Sequence, residues 1–247
     1  MKTVVATRYV APIRKASSLP GIVDADDGRR YVVKFHGFGQ GAHALISELI
    51  VATFAEAAQI AMPEQAFVLV GPRMIIEEID PEVLDVVRPS DGLNFGFLFL
   101  EPSRAFDPKK DAPSTEIASR IVALDAFVMN VDRTPKNPNI LIVDDRLVCI
   151  DHGAALLFEY AADDAALSES AAYVRSHVLK PWATTLPEEG ERLRAFLRAP
   201  GLIAEIIETI PEAWFLREPP GRKRSLVRLL EARVAAWDLW MSDAASA

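Results

Sequence analysis

The distribution of apolar and polar positions divides the chain into a strand-rich first part and a helix-rich second part. Val4 to Val10 is β-branched and aromatic, a composition that favours an extended strand. Ile22-Val23 and Tyr31 to Phe35 flank Asp24-Ala25-Asp26-Asp27-Gly28, and an Asp-Gly pair between apolar runs predicts a hairpin. Gly37, Gly39 and Gly41 then interrupt the pattern. Leu45, Leu49, Ala52 and Ala55 recur at helical spacing, which predicts a helix over about Ala42 to Ala58 with one apolar and one polar face. Ala66 to Val70, Met74 to Ile79 and Gly96 to Leu100 read as further strands.

Helical periods dominate after residue 103. Pro113-Ser114 opens a helix on which Ile117, Ile121, Leu124 and Val128 share a face. Asn139 to Val143 and Leu147 to Ile150 are apolar strands around Asp144-Asp145-Arg146, a tight hairpin. Beyond Ala161, Pro181, Pro187, Pro200, Pro211 and Pro219-Pro220 punctuate several helices, because proline rarely sits inside one. No repeat recurs at a fixed period. The expected organisation is an α+β protein with a strand-rich part over 1–102, a helix-rich part over 103–247 and a junction near Glu101 to Arg104.

Composition narrows the function classes. Half of the 247 residues are hydrophobic and a quarter are charged, enough apolar surface for a sizeable core. The net charge of −8 argues against a general nucleic-acid surface, which needs clustered Lys and Arg. One basic stretch, Arg217 to Arg233, reads as a solvated helix face. A single cysteine, Cys149, excludes an intramolecular disulfide and a Cys-based zinc cluster; on an apolar strand it reads as a buried, inert thiol. No uncharged run is long enough to span a bilayer, and the apolar start Val4-Val5 is too short for a signal peptide. The expectation is a soluble, cytoplasmic protein without nucleic-acid or membrane partners.

The segment Asn130 to Gly153 carries the chemistry. A helix delivers the chain to a polar loop holding Asp132 and, five residues on, Asn137; a hairpin follows and ends on Asp151, with Gly153 just after. A hairpin returns the chain near its start, so Asp151 is expected beside Asn137. Two carboxylates and an amide oxygen gathered this way are hard ligands suited to Mg²⁺. The same spacing, D-x-x-x-x-N followed by Asp-x-Gly, is that of phosphoryl-transfer enzymes. There carboxylate-bound metal neutralises the transferred group and a free Asp orients the attacking hydroxyl.

The first part offers the remaining groups. Lys34 ends the apolar strand Tyr31-Val32-Val33, and Glu48 lies between Leu45 and Leu49 on the next helix, where a lone carboxylate is costly to bury. Pairing Lys34 with Glu48 resolves both. Ser17-Ser18-Leu19-Pro20-Gly21 and Gly37 to Gly41 are two loops that could cover phosphates, the second before a helix N-terminus. His36 and His43 read as surface imidazoles and His152 as a ring that packs or bonds locally. The four tryptophans, Trp182, Trp214, Trp237 and Trp240, lie in the helical part, and Trp237 and Trp240, three apart on an expected last helix, read as core.

Taken together, Leu19-Pro20-Gly21, Tyr31 to Phe35, Gly39-Gln40-Gly41, Leu45 to Glu48, Met62-Pro63-Glu64, Asn94-Phe95-Gly96, Asn130 to Asn137 and Ile150-Asp151 resemble the HipA-like kinases in order along the chain. Asp132-Arg133 to Asn137 is also similar to the Asp-Arg-x-x-x-Asn loop of phosphoinositide kinases. The resemblance implies a two-lobed protein-kinase-like fold, ATP with Mg²⁺, and transfer to a Ser or Thr hydroxyl. By position it implies Asp132 as base, Asn137 and Asp151 as metal ligands, and Lys34 on the phosphates with Glu48 holding it; Ser17, Ser18 and Gly21 are nucleotide-loop candidates on their own hydroxyls and N–H groups, since the characteristic phosphate loop of HipA differs from Ser17 to Gly21. The resemblance implies Leu98 to Ser103, with Glu101, as the hinge against adenine. The alternatives are a catalytically silent nucleotide-binding regulator and a kinase of small molecules on the same fold.

Overall fold

The computed structural model describes residues 1–14, 19–37, 41–77, 80–156, 171–216 and 218–246. Strands β1 (Lys2–Pro12), β2 (Gly21–Ala25), β3 (Arg30–Lys34), β4 (Gln65–Val70) and β6 (Gly92–Leu98) pair in the order β2-β3-β6-β4-β1, and β1 pairs again with β2, so the sheet closes into a barrel. The two-residue β5 (Ile75–Ile76) adds to β1 at its edge. Alternation along β1 buries Val4 and Ala6, then Tyr9, a slip of one residue. The slip coincides with a register shift against β2 between Ala6 and Arg8, a bulge that turns the strand around the barrel. Val23, Tyr31, Val33, Ala66 and Val68 fill the interior. Gly96 on β6 is required by that packing, since a β-carbon there would meet Val68 Cγ2 at 2.5 Å.

Helix α1 (Ala42–Ala57) follows β3, as its spacing predicts. Its expected polar face does not exist: every residue from Leu45 to Ala52 is buried, as are Phe54 and Ala55. The helix is wedged between the barrel strand β6 and the later helical segments, and a helix covered on all sides needs no polar stripe. A further helix, α2 (Pro81–Val87), stands in the strand-rich part where the apolar pattern predicts none. Its signal is local chemistry: Asp80 caps it, accepting from the Glu82 N–H at 3.0 Å, and Pro81 sits in the first turn. The strand expected over Met74 to Ile79 is confined to Ile75–Ile76 among the described residues, and residues 78–79 lie outside them. The strand expected from Gly96 begins earlier, at Gly92.

The chain passes from the barrel to a second sheet between Phe99, whose N–H bonds Arg30 O, and Phe106, whose N–H bonds Ile140 O. That sheet is β7 (Arg104–Ala105), β8 (Ile140–Val143) and β9 (Arg146–Cys149). The β8–β9 turn holds Asp144 and Asp145 at positive φ, 47° and 59°, the geometry of a two-residue hairpin. Helix α3 (Thr115–Phe127) begins at Ser114, whose hydroxyl accepts the Ile117 N–H. It packs with α4 (Leu186–Leu197), α5 (Leu202–Glu208), α6 (Arg222–Ala235) and α7 (Trp237–Ser246) around one apolar core that includes α1, Phe95 and Phe97. Trp237 and Trp240 lie in it with ring centroids 4.4 Å apart, and Phe127 lies against both. Trp214 joins the helical part to the barrel: its indole N–H donates to Leu93 O at 2.7 Å and its ring meets Phe67 and Phe95.

The basic stretch is not a uniformly solvated face. Arg217 lies outside the described residues, and Arg233 is fully buried. Arg233 donates to Ala126 O and Phe127 O at the C-terminus of α3 and covers the Trp240 ring at 4.6 Å. A cation at a helix C-terminus satisfies carbonyls that have no partner within the helix.

Candidate active site

Three elements converge on Lys34. Its ammonium, 7% exposed at the end of β3, donates to Glu48 Oε1 on α1 and to Asp151 Oδ1 at 2.5 Å, just beyond β9. Glu48 is fully buried, and its Oε1 also accepts the backbone N–H of His152 at 2.7 Å. Burial pushes the Glu48 carboxyl up, but the Lys34 charge and the His152 bonds outweigh it and hold the group at about 2. Burial likewise pulls the Lys34 ammonium down, and Glu48 and Asp151 more than reverse it. The pair anticipated from two isolated oddities in the sequence is thus a buried, doubly anchored ion pair. Gly153 packs directly beneath it: a β-carbon there would lie 3.2 Å from Lys34 Nζ and 3.3 Å from Ala44 Cβ.

The polar loop after α3 is a closed turn. Thr134 N–H donates to Asn137 O and Asn137 N–H to Thr134 O, folding the five-residue spacing back on itself. Asn137 Nδ2 therefore reaches Asp132 Oδ2 at 2.9 Å, and Asn139 Nδ2 reaches the same oxygen at 3.3 Å. The hairpin register sets where Asp151 emerges. Ile140 faces Cys149 and the Ile150 N–H donates to Asn139 O, so the residue opposite Ile150 is Asn139. Asn137 is tied to Asp132 by the tight turn at 134–137, which precedes the ladder. Asp151 itself is one-third exposed and adopts φ 59°, a left-handed conformation that non-glycine residues rarely take.

Arg133 organises these pieces from below. Its side chain is completely buried, and Nε donates to Asp125 Oδ2 at 2.5 Å. Nη1 donates to Asn139 O and to Ile150 O, and Nη2 lies 2.7 Å from His152 Nε2. Asp125 also accepts from Asn130 Nδ2 at 2.9 Å and His177 Nε2 at 2.9 Å, while His177 Nδ1 accepts the Leu179 N–H. Burial raises the Asp125 carboxyl, but Arg133 and His177 hold it far below the usual carboxylate range. A guanidinium clamp thus fixes the Asp132–Asn137 turn against the start of the Asp151 segment.

A family description of HipA-like kinases matches residues 7–240 of the chain. The chain belongs to the HipA-like kinase family. Among solved structures it is similar to the Helicobacter pylori proinflammatory kinase CtkA, at 13% identity and a TM-score of 0.53, with 94% of this chain and 91% of that one covered. It also matches the open conformation of CtTel1 at 14% identity and a TM-score of 0.40, over 90% of this chain and 11% of that one. A comparison with curated proteins returned no match. The fold is an α+β kinase-like fold, and family and structural neighbour together support a kinase-type phosphotransferase.

Other residues anticipated for the nucleotide fall differently in this HipA-like kinase. Ser17 and Ser18 lie outside the described residues, as do Gly39 and Gln40. Gly21 starts β2 and is buried under the rings of Tyr9 and Phe35, so close packing alone requires glycine there. Glu101 is exposed in the turn that leaves the barrel. His36 is partly exposed, but His43 is 4% exposed on α1, and burial with the Arg222 charge lowers it to about 4. The surface reading of His43 fails because most of the helix from His43 to Ala55 is buried. Asp125, Arg133 and His177 carry the clamp and were not singled out. Asp125 had a readable signal, the same as Glu48: a lone carboxylate among Ala123, Leu124, Ala126 and Phe127. Among the described residues, no helix is long and apolar enough to cross a membrane.

Proposed function

We propose that the protein is an ATP- and Mg²⁺-dependent phosphotransferase acting on a Ser or Thr hydroxyl, with residues 1–102 and 103–247 as two lobes and the nucleotide between them. What carries this reading is the convergence of Lys34, Glu48 and Asp151 from three elements, beside a turn that binds Asn137 to Asp132. The donor set fits a hard divalent cation. Asp151 and Asn137 offer oxygen ligands, fewer than would enclose a metal. Mg²⁺ takes that kind of open site, completing its shell with phosphate oxygens and water. Bound there, it would neutralise charge on the transferred phosphoryl group.

The chain's own groups then divide the work. Lys34, held by Glu48, orients phosphate oxygens. Asp132 accepts the proton of the attacking hydroxyl. The side-chain bonds from Asn137 and Asn139 both fall on Oδ2, so Oδ1 is the oxygen proposed to take the proton. Leu98 to Ser103 would face adenine as the strand β6 leaves the barrel. The test is Asp132→Asn with radiolabelled ATP and Mg²⁺. The expected result is loss of transfer, about 10²-fold or more, with nucleotide affinity nearly unchanged. Turnover at the wild-type rate in that variant would refute Asp132 as base. ATP binding without hydrolysis or labelling by the wild-type protein would favour the silent regulator instead.

A further inference from the structure

The second residue of Asp151-His152-Gly153 bridges the two halves of the site. Arginine carries only donors, so the 2.7 Å contact of Arg133 Nη2 with His152 Nε2 makes Nε2 the acceptor. The ring proton then sits on Nδ1, which faces Glu48 Oε2 at 3.6 Å. Among the described residues, neither of these two buried atoms has a hydrogen-bond partner, and each faces the other as a polar complement. The main chain of His152 reinforces the link, since its N–H bonds Glu48 Oε1 at 2.7 Å. An unbroken buried series thus runs Asp125–Arg133–His152–Glu48–Lys34. Its first members anchor the Asp132 turn, and its last holds the ammonium proposed to meet the phosphates.

We propose that His152 is a positioning residue that couples the Arg133 clamp to the Lys34–Glu48 pair and so sets the ammonium relative to Asp132 and Asn137. The inference rests on the proposed nucleotide site and deepens it. A phenylalanine of similar volume at 152 would fill the space but leave Arg133 Nη2 and Glu48 Oε2 facing an apolar ring. Glu48 would then lose the polar group that faces its second oxygen, and a shift of its carboxylate would carry Lys34 with it.

A double-mutant cycle tests this by the affinity of full-length protein for Mg·ATP, measured by calorimetry. His152→Phe is expected to weaken binding about tenfold in the wild-type background and less than about twofold when Glu48→Gln is already present. That non-additivity is a signature general destabilisation would not produce. Equal losses in both backgrounds would overturn the proposal and leave His152 a packing residue. The same cycle with His152→Asn, which retains a small polar group at the Nδ1 depth, serves if His152→Phe does not fold, with the same two outcomes. Absence of Mg·ATP binding by the wild-type protein would overturn the nucleotide-site reading, and the coupling with it. Binding with additive losses would overturn the coupling alone.

Discussion

Lys34 and Asp151 are 117 residues apart in the chain and 2.5 Å apart in space. The contact exists because α1 inserts between the barrel and the helical part, bringing Glu48 to a point that both β3 and the end of β9 approach. A lysine with two buried or half-buried carboxylate partners has little freedom to wander. Its position is set within the fold itself, which is the preorganisation that the proposed phosphoryl transfer would require.

Replacing Lys34 by Met keeps the aliphatic stem and removes the charge. Glu48 is then left buried without its main cation, an arrangement that costs about 3–5 kcal/mol when one partner of a buried pair is removed. The expected outcome is a lower urea midpoint together with a fall of about 10²-fold in transfer from labelled ATP. The double variant Lys34→Met with Glu48→Gln should recover part of the midpoint and none of the transfer. That split, read from parallel denaturation and activity assays, separates the structural role of the pair from its role toward phosphate.

Gly153 is constrained by contact rather than by backbone angle. A methyl group would press on Lys34 Nζ, which cannot retreat because both of its carboxylate partners are fixed. Gly153→Ala is expected to lower kcat/KM for ATP about tenfold, the scale of a sub-ångström misplacement at a reacting centre. Its thermal midpoint should fall by only a few degrees, roughly the effect of 1 kcal/mol in a chain this size. An unchanged kcat/KM would show that the ammonium does not need its present position.

Acid should weaken the fold through Glu48. The carboxyl sits at about 2 in the folded protein, against an ordinary value of 4.5. Its ionised form therefore contributes stability that is complete above about pH 4.5 and is lost as pH falls toward 2. Asp125, also depressed, adds in the same direction below its ordinary 3.8. Urea midpoints measured from pH 5 to pH 2 should decline for the wild-type protein and decline less steeply for Glu48→Gln. Equal slopes would mean that folding does not move the Glu48 carboxyl from its ordinary value.

Much of this site was legible because its residues break local rules. Glu48 in an apolar helix, Lys34 at the end of an apolar strand and Asp132 spaced from Asn137 ahead of a hairpin each demand an explanation the sequence itself poses. The Arg133 clamp was not legible in that way. Asp-Arg in a loop is ordinary turn chemistry, and nothing local says that the arginine turns inward to Asp125 and His152, or that Asp125 takes a further bond from His177, supplied from beyond residue 156. Barrel closure was likewise hidden, since pairing β1 with both β2 and β4 depends on a bulge rather than on strand periodicity. Helix α2 was hidden by its shortness, although its Asp80-Pro81 start is visible once caps are sought before periodicity.

Cys149 provides a check on the integrity of the same region. Its thiol is buried on β9, and burial pushes it up to about 11 against an ordinary 9. Only the thiolate alkylates, so iodoacetamide at pH 8 should modify the native protein at least roughly a hundredfold more slowly than the protein unfolded in guanidinium. Fast labelling of the native protein would show that the β8–β9 hairpin opens, and with it the ladder that delivers Asp151.

Arg233 tests how the helical part supports the loop that bears Asp132. Its guanidinium satisfies the carbonyls of Ala126 and Phe127, the last of α3, only a few residues before that loop. Arg233→Met preserves most of the volume and the contact with Trp240 but leaves both carbonyls buried with one donor fewer. Bonds from a charged donor contribute about 1.5–3 kcal/mol each, so the expected loss is a few kcal/mol and a clear drop in thermal midpoint. Because α3 also carries Asp125, fraying at its end should loosen the clamp on Arg133. Hydrogen exchange at Met129 to Thr134 should accelerate in the variant, while exchange in the barrel strands β2 and β3 should not change beyond the global loss of stability. Uniform acceleration across barrel and loop alike would mean that Arg233 supports the core as a whole and has no particular hold on the Asp132 turn.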